Sequence, residues 1–145
     1  MLCRGVGENL QDHYVARFCC HAKDVVTFNE RARGIRLGWE VLRYAFTRKG
    51  LLTTAPGNVS ASIKVMPGVA TPDVQLAFAP ASYVEGQFGV LDDFPGMTCG
   101  VWQHRPASRG SIHLASTDPE VQPLICPNYL TDVIDQDTMI EGLKK

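Results

Sequence analysis

The sequence predicts an α+β fold, a mainly antiparallel sheet with flanking helices, and three features carry this prediction. Apolar residues alternate with polar or small ones from Asp73 to Phe78, the period-2 pattern of a strand with one face toward a core. Two more strand-like segments, 97–104 and 111–116, flank the turn-forming stretch 105–110, which predicts a hairpin in the same sheet. Helical spacing of apolar residues at 37–49 adds a helix.

The first part of the chain predicts a turn, a strand and the helix in that order. Gly5 to His13 is typical of a glycine turn followed by a polar capping segment, and Tyr14 to Ala22 is typical of a strand. Residues 23–36 are polar and irregular, which favours either a surface loop or one short helical turn. Gly50 directly follows the helix at 37–49 and supplies its stop.

The middle of the chain alternates connections and strands. Residues 51–58 are rich in turn-forming residues and precede a predicted strand at 60–65. The stretch from Ala81 to Gly96 is a loop of about 16 residues. A loop of this length favours either a binding loop or lid, or a surface excursion without a fixed structure.

The end of the chain predicts a closing helix. Thr131 or Asp132 provides an N-cap for it. Because the helical pattern runs straight into Lys145, we expect residues 131–145 to be the truncated start of a C-terminal helix.

Composition argues against several classes of function. The 145 residues include 14 Lys and Arg against 15 Asp and Glu, and a formal charge of -1 creates no bulk field that attracts nucleic acid or an anionic membrane. No apolar run approaches the roughly 20 residues that span a bilayer. No signal core follows the N-terminus, so we expect a cytoplasmic chain without a transmembrane segment.

The cysteines and short motifs indicate neither a metal site nor a hydrolase. The five cysteines are an odd number without a C-x-x-C pair, so we expect reduced, mostly buried thiols and no metal site. They are Cys3, Cys19, Cys20, Cys99 and Cys126. No Ser-His-Asp order, H-E-x-x-H motif or P-loop is present, so hydrolase, zincin and NTPase functions have no support.

The stretch that starts at Gly5 imitates the dinucleotide fingerprint G-x-G-x-x-G without completing it. Leu10 occupies the place of the third glycine, where a side chain obstructs close packing of helix and strand. Only four residues precede Gly5, too few for the strand that must lead into such a turn. The sequence therefore predicts no cofactor-binding residue in this stretch.

Five blocks, in order and together covering nearly the whole chain, resemble the glucose–methanol–choline (GMC) oxidoreductases. This family comprises flavin-dependent alcohol oxidases and dehydrogenases, and the similarity is greatest to its bacterial choline-dehydrogenase-like branch. The blocks are GVGENLQDH at 5–13, RYAFTRKGLLT at 43–53, DVQLAFAPAS at 73–82, RPASRGSIHLAS at 105–116 and PLICPNYLTD at 123–132.

The resemblance implies that residues 1–145 are an internal part of the family's substrate-binding region, lacking its Rossmann-type FAD domain. Residues 1–13 would then form the junction to that missing domain. The resemblance also implies that the catalytic histidine lies beyond Lys145, so this chain contains no catalytic residue. We expect FAD and a small alcohol substrate in the full-length parent, and no activity and no bound FAD in this chain alone.

The candidate substrate-binding residues are His104, Trp102 and Phe78. His104 either contacts substrate or is a hydrogen-bonded residue at a strand end, because its register differs by one from that of family members. Trp102 and Phe78 either line an apolar pocket or pack in the core. His13 either anchors the interdomain turn or touches the flavin, and His113 is expected to be exposed.

Two other functions remain open. The chain could be a stand-alone, non-catalytic binding module that uses the loop 81–96, or the non-functional product of a truncated gene. Since the family's sheet packs on a flavin domain, an isolated chain would expose an apolar sheet face, which predicts possible self-association.

Overall fold

A computed structural model describes residues 3–55, 57, 59–87 and 89–145. The predicted segments 1–13, 51–58 and 81–96 therefore each include positions outside the described residues, namely Met1, Leu2, Pro56, Asn58 and Phe88. The chain divides into two compact units. Unit 1 comprises Met1–Val15, Ser62–Gln75 and Val101–Lys145, and unit 2 comprises Ala16–Ala61 and Leu76–Gly100.

The described residues form two sheets. The first contains three antiparallel strands of unit 1: β1 (Glu8–Leu10), β6 (Gly110–His113) and β7 (Leu124–Cys126), with β6 in the middle. The second contains β2 (Val15–His21), β3 (Val59–Ile63), β4 (Val74–Ala79) and β5 (Gly96–Gln103). Its strand order is β2-β5-β4-β3. Together with three helices, these sheets confirm the predicted α+β class.

The predicted hairpin between 97–104 and 111–116 is wrong, because β5 and β6 belong to different sheets. β6 pairs with β1 on one side and with β7 on the other. Gly110 lies so close to β7 that a Cβ atom there would be 2.0 Å from the Cys126 carbonyl oxygen. The turn-forming residues before Gly110 therefore lead the chain into a second sheet instead of closing a hairpin.

The strands with a clear periodic pattern are where the sequence predicts them, and the shortest strands are not. β2, β4 and β3 overlap the predicted strands at 14–22, 73–78 and 60–65. β1 and β7 have three residues each: β1 lies in the segment 5–13, predicted as a turn and cap, and β7 lies where no strand is predicted. Three residues are too few for a periodic pattern, so these strands depend on pairing with β6.

The three helices lie near the predicted positions. They are α1 (Phe28–Arg31), α2 (Gly34–Thr47) and α3 (Val133–Leu143). However, α2 begins and ends earlier than 37–49, and Arg48 in the left-handed conformation, not Gly50, is its C-cap. α1 decides between the alternatives for 23–36 in favour of one short helical turn. Asp132 Oδ1 accepts a hydrogen bond from Ile134 N at 2.9 Å, so Asp132 and not Thr131 caps α3. In the described part of the chain, no helix is both long enough and apolar enough to cross a membrane.

A buried acid joins α2 to its neighbours within unit 2. Glu40 Oε2 accepts a hydrogen bond from Leu51 N at 3.0 Å, and Glu40 Oε1 accepts one from Arg31 Nε at 3.0 Å. The hydrogen bond from Leu51, followed by that from Arg31, lowers the pKa of Glu40. The carboxylate thereby connects α1, α2 and the 3₁₀ turn Leu51–Thr53.

Few apolar side chains are buried among the described residues. They are Val74, Val101 and Met139 in unit 1 and Ala81 in unit 2.

The prediction of mostly buried cysteines is wrong, since four of the five are exposed and only Cys99 is half-buried. Cys19 and Cys20 lie in β2 and Cys126 lies in β7. These are edge strands, which have a neighbouring strand on one side only.

Candidate functional site

The face of β5 that carries Trp102 and His104 is turned away from α3. Successive side chains along a strand point to opposite faces. Val101 is 3% exposed and lies against α3, since a Cβ atom added at Gly142 would come within 3.1 Å of Val101 Cγ1. Trp102 and His104 therefore lie on the other face, where both are half-buried. The structure thus brings together two of the three predicted substrate-binding residues.

Hydrogen bonds hold His104 on three sides. Its backbone N donates to the Asp73 carbonyl oxygen at 2.8 Å, which continues the strand pairing past the end of β5. Its ring Nε2 shares a hydrogen bond with Ser62 Oγ at 3.2 Å. His13 Nε2 donates to the His104 carbonyl oxygen at 3.2 Å. None of these three contacts uses His104 Nδ1.

An acid–phenol pair lies next to His13 in unit 1. Asp12 Oδ1 accepts a hydrogen bond from His13 N at 2.8 Å, and Asp12 Oδ2 accepts one from the Tyr129 hydroxyl. The hydrogen bond from Tyr129, followed by that from His13 N, lowers the pKa of Asp12, while Asp12 raises the pKa of Tyr129. The sequence predicts neither partner as a site residue, since 117 positions separate them.

The connection between β5 and β6 is fixed by a buried carboxylate. Asp135 is 1% exposed and accepts hydrogen bonds from Ala107 N at 2.7 Å, Ser108 N at 2.8 Å and Ser108 Oγ at 2.5 Å. Burial alone raises the pKa of Asp135, but the hydrogen bonds from Ser108 and Ala107 outweigh it and the net shift is downward. This clamp fixes the chain directly after His104.

Two cavities in unit 1 do not include the predicted site residues. One has a volume of about 470 Å³ and is bordered by α3, the 66–73 segment, Gln103 and Arg105. The other has a volume of about 10 Å³, close to the space that one water needs. His104 and Trp102 are half-buried and line neither of these two cavities.

Phe78, the third predicted residue, is half-buried in β4 and belongs to unit 2. Its role in substrate binding stays a prediction.

The long loop 81–96 of unit 2 is anchored at its base by Asn29, which is 1% exposed. Asn29 Nδ2 donates to the carbonyl oxygens of Ser82 at 2.9 Å and Asp92 at 3.0 Å, and its Oδ1 accepts from Ser82 N at 2.9 Å. Arg33 Nη2 adds hydrogen bonds to the carbonyl oxygens of Leu91 and Asp92 at 2.9 and 2.8 Å. The base of the loop is therefore ordered, which disfavours a surface excursion without fixed structure.

The Gly5–Leu10 stretch does not fit an FAD pyrophosphate site. A dinucleotide-binding turn leads into a helix whose N-terminus meets the pyrophosphate, whereas this turn leads into β1. Gly7 has a φ of +86°, and a Cβ atom there would be 2.2 Å from the Ile112 carbonyl oxygen. The missing side chain of Gly7 therefore serves contact with β6 and not the approach of a phosphate.

The sequence of this chain is similar to those of known oxidoreductases. A family model described as GMC oxidoreductase matches residues 106–145, in the C-terminal region of the family. The alcohol dehydrogenase [acceptor] of Pseudomonas putida is 36% identical over 143 residues, which cover 96% of this chain and 25% of that protein. The oxygen-dependent choline dehydrogenase of Vibrio vulnificus is 33% identical over 91% of this chain and 23% of its own length.

A solved structure extends the similarity to the fold. The crystal structure of formate oxidase has a TM-score of 0.78 and 21% identity, covering 97% of this chain and 29% of that one. The predicted resemblance is thus confirmed: nearly the whole chain is similar to GMC oxidoreductases, and residues 106–145 match the model of the family's C-terminal region. The chain spans about a quarter of the length of the curated relatives that it matches.

Proposed function

We propose that this chain is the substrate-binding region of a FAD-dependent alcohol oxidoreductase whose flavin is held by a longer polypeptide. Two relatives are named alcohol dehydrogenase and choline dehydrogenase, which supports an alcohol as the substrate. The observation that carries the proposal is that His104 and Trp102 share the face turned away from α3, where both are half-buried. A face with one polar and one aromatic side chain suits a small alcohol, which has a hydroxyl end and an apolar end.

His104 orients the hydroxyl group in this proposal, and Trp102 packs against the carbon chain. Ser62 and Asp73 hold the His104 ring and backbone, which limits the motion of the ring and favours one position of the bound hydroxyl. Oxidation of a primary alcohol removes a hydroxyl proton and a hydride, and FAD is the class of cofactor that accepts hydride. No residue of this chain is assigned to either transfer.

The chain alone is expected to bind no FAD tightly and to oxidise no alcohol. An absorbance scan of the purified 145-residue chain with added FAD, after removal of free flavin, measures this directly. A stoichiometric bound-flavin spectrum would contradict the expectation and would require a cofactor site elsewhere in these residues.

The substrate role of His104 is tested in the longest protein that the gene encodes. His104→Ala should raise KM for the alcohol by about tenfold, because a hydrogen bond to the hydroxyl is lost. His113→Ala is the matched control, since His113 is exposed, lies in β6 and pairs with Glu8 at 3.2 Å. Equal KM values for the two variants would show that His104 does not contact the substrate. Trp102→Ala and Phe78→Ala test the other two predicted contacts in the same assay.

The gene itself distinguishes this proposal from a stand-alone module or a truncated product. A flavin-binding G-x-G-x-x-G segment upstream and a histidine-bearing segment downstream, in one reading frame, are expected. A reading frame of 145 codons with neither segment would favour the other two functions.

A further inference from the structure

α2 carries an exposed apolar stripe, which we define as Ile35, Trp39, Leu42 and Phe46. These side chains are exposed by 81%, 67%, 48% and 85%. Their spacing places them within about 60° of arc on the helix surface and over a length of about 17 Å. Scattered exposed apolar residues are normal, but a continuous line of four on one helix marks an interaction surface.

The stripe lies on the opposite side of α2 from the residues that pack within unit 2. Glu40 is buried, and Leu37 and Tyr44 are half-buried. An amphipathic helix usually turns its large apolar residues inward and its charges outward. Here the inward face holds an acid, and the largest apolar side chains face outward. An open groove of about 680 Å³ lies along the first part of this helix. Three residues of the stripe border it together with four others, and the full lining is Gly34, Ile35, Leu37, Gly38, Trp39, Val41 and Leu42.

Arg36 and Arg43 lie beside the stripe on one side of α2, and Arg48 and Lys49 follow the end of the helix. Arg36, Arg43, Arg48 and Lys49 are all exposed, and Glu40 is the one acid between positions 34 and 49. Glu40 is already engaged by Arg31 and Leu51.

Three of these basic groups have neighbours within unit 2. Arg43 lies close to Glu40, since a Cβ atom added at Gly50 would be 2.8 Å from Glu40 Oε2 and 3.5 Å from Arg43 Nε, and Arg48 lies over the Tyr44 ring, 5.1 Å from its centroid. Arg36 lies 3.5 Å from Glu30. Within the part of the chain that the structure describes, Arg43, Arg48 and Lys49 have no carboxylate within 4 Å. The surface is therefore locally positive, although the whole chain has a formal charge of -1.

We propose that this face of α2 docks on an anionic phospholipid surface. Large apolar side chains flanked by Arg and Lys are the pattern of a helix that lies in the membrane interface, with the rings among the acyl chains and the cations at the headgroups. Each basic residue near such a surface adds to the attraction. The inference does not depend on the proposed function.

A second copy of the chain is a weaker occupant for the same face. In a two-fold symmetric contact, each patch meets itself, so Arg36 and Arg43 would face the same cations of the other copy. Like charges brought together at an interface oppose association, whereas anionic headgroups neutralise them.

The test is flotation of the purified 145-residue chain with vesicles of phosphatidylglycerol and phosphatidylcholine. The chain should float with mixed vesicles and not with pure phosphatidylcholine, and added salt should weaken binding. Phe46→Ser should lower the partition coefficient by about tenfold, because a large apolar side chain no longer enters the interface. Leu114→Ser is the matched control, since Leu114 is 83% exposed but lies outside the stripe.

Charge and insertion are tested separately. The double variant Arg36→Gln and Arg43→Gln should lower binding by about tenfold at low salt, whereas Arg17→Gln, which alters an exposed arginine elsewhere, should not. In a Trp102→Phe background, Trp39 is the only tryptophan, and its emission should shift to the blue on vesicle binding.

Three outcomes would overturn the proposal. The first is a folded chain, judged by circular dichroism, that does not float. The second is flotation that Phe46→Ser and Leu114→Ser change equally. The third is concentration-dependent dimerisation that Phe46→Ser abolishes in a chain without vesicle affinity, which would assign the stripe to a second copy.

Discussion

A buried polar residue near the start of a helix holds an irregular segment by its backbone in each of the two units. In unit 2, Asn29 of α1 holds the base of the loop 81–96, and in unit 1, Asp135 of α3 holds the connection between β5 and β6. Both residues are 1% exposed and both lie in the first turn of a helix. They differ in charge, because one is a neutral amide and the other a carboxylate.

The polarity of the backbone that each residue meets explains this difference. Asn29 faces two carbonyl oxygens and one N–H group, so it needs both donors and an acceptor. Asp135 faces only donors, from Ala107 and Ser108. An ionised carboxylate is an acceptor only, and donors around it stabilise its charge. The local backbone therefore decides which side chain can be buried. Of these two residues, only Asp135 makes a contribution to stability that depends on pH.

Replacing the neutral amide of Asn29 with an acid should have the largest effect on the free energy of unfolding. Asn29→Asp places a carboxylate against the carbonyl oxygens of Ser82 and Asp92, and we expect a loss of about 4 kcal/mol in the free energy of unfolding at pH 7. Urea denaturation measures the loss. Since burial should raise the pKa of the new acid, the variant should recover part of its stability at pH 4. Unchanged stability at pH 7 would mean that the loop does not depend on Asn29.

The reverse exchange should cost less. Asp135→Asn keeps one oxygen acceptor but turns an NH₂ group toward donors of Ala107 or Ser108, and we expect a loss of about 2 to 3 kcal/mol. Urea denaturation at pH 7 measures this loss too, with the exposed pair variant Glu141→Gln as the control. A loss equal to that of the control would show that the hydrogen bonds to Asp135 contribute little.

The dependence of stability on pH should separate the two clamps. The pKa of Asp135 is lowered in the folded state, so its contribution is complete above the unfolded value of about 3.9 and is lost as pH falls through the folded value. The stability difference between the wild type and Asp135→Asn should therefore shrink below about pH 4. The difference between the wild type and Asn29→Ala should stay constant over the same range. If both stability differences change with pH in the same way, the pH dependence does not come from Asp135.

The smallest effect is expected at the edge of the neutral clamp. Arg33 donates to the carbonyl oxygens of Leu91 and Asp92 but is exposed to solvent, so Arg33→Ala should cost less than about 1 kcal/mol. Hydrogen exchange of the loop amides should rise in this variant, while exchange in α3 should not change. A loss as large as that of Asn29→Ala would move the main anchor of the loop to Arg33.

Sequence patterns predicted the elements that have enough residues to show a period or a cap. The alternation from Asp73 to Phe78 predicted β4, and the helical spacing of apolar residues at 37–49 predicted α2. Asp132 was one of two predicted caps of α3. His104 and Trp102 were predicted as neighbours on one strand, where side chains two positions apart share a face. Ser62, which holds the His104 ring, was not predicted, because 42 positions separate them.

The sequence by itself therefore determined the fold class, the longer strands, the helices α2 and α3, and the resemblance to the GMC family. These follow from local periodicity and from motifs that are complete within a few residues. Tertiary structure alone decided that β6 pairs with β1 and β7 and not with β5, and that Asn29 and Asp135 are buried. The alternation within a strand does not indicate which strand it pairs with, and the residue type alone does not indicate whether an Asn or Asp is buried. Strand pairing and burial both depend on contacts between residues far apart in the chain.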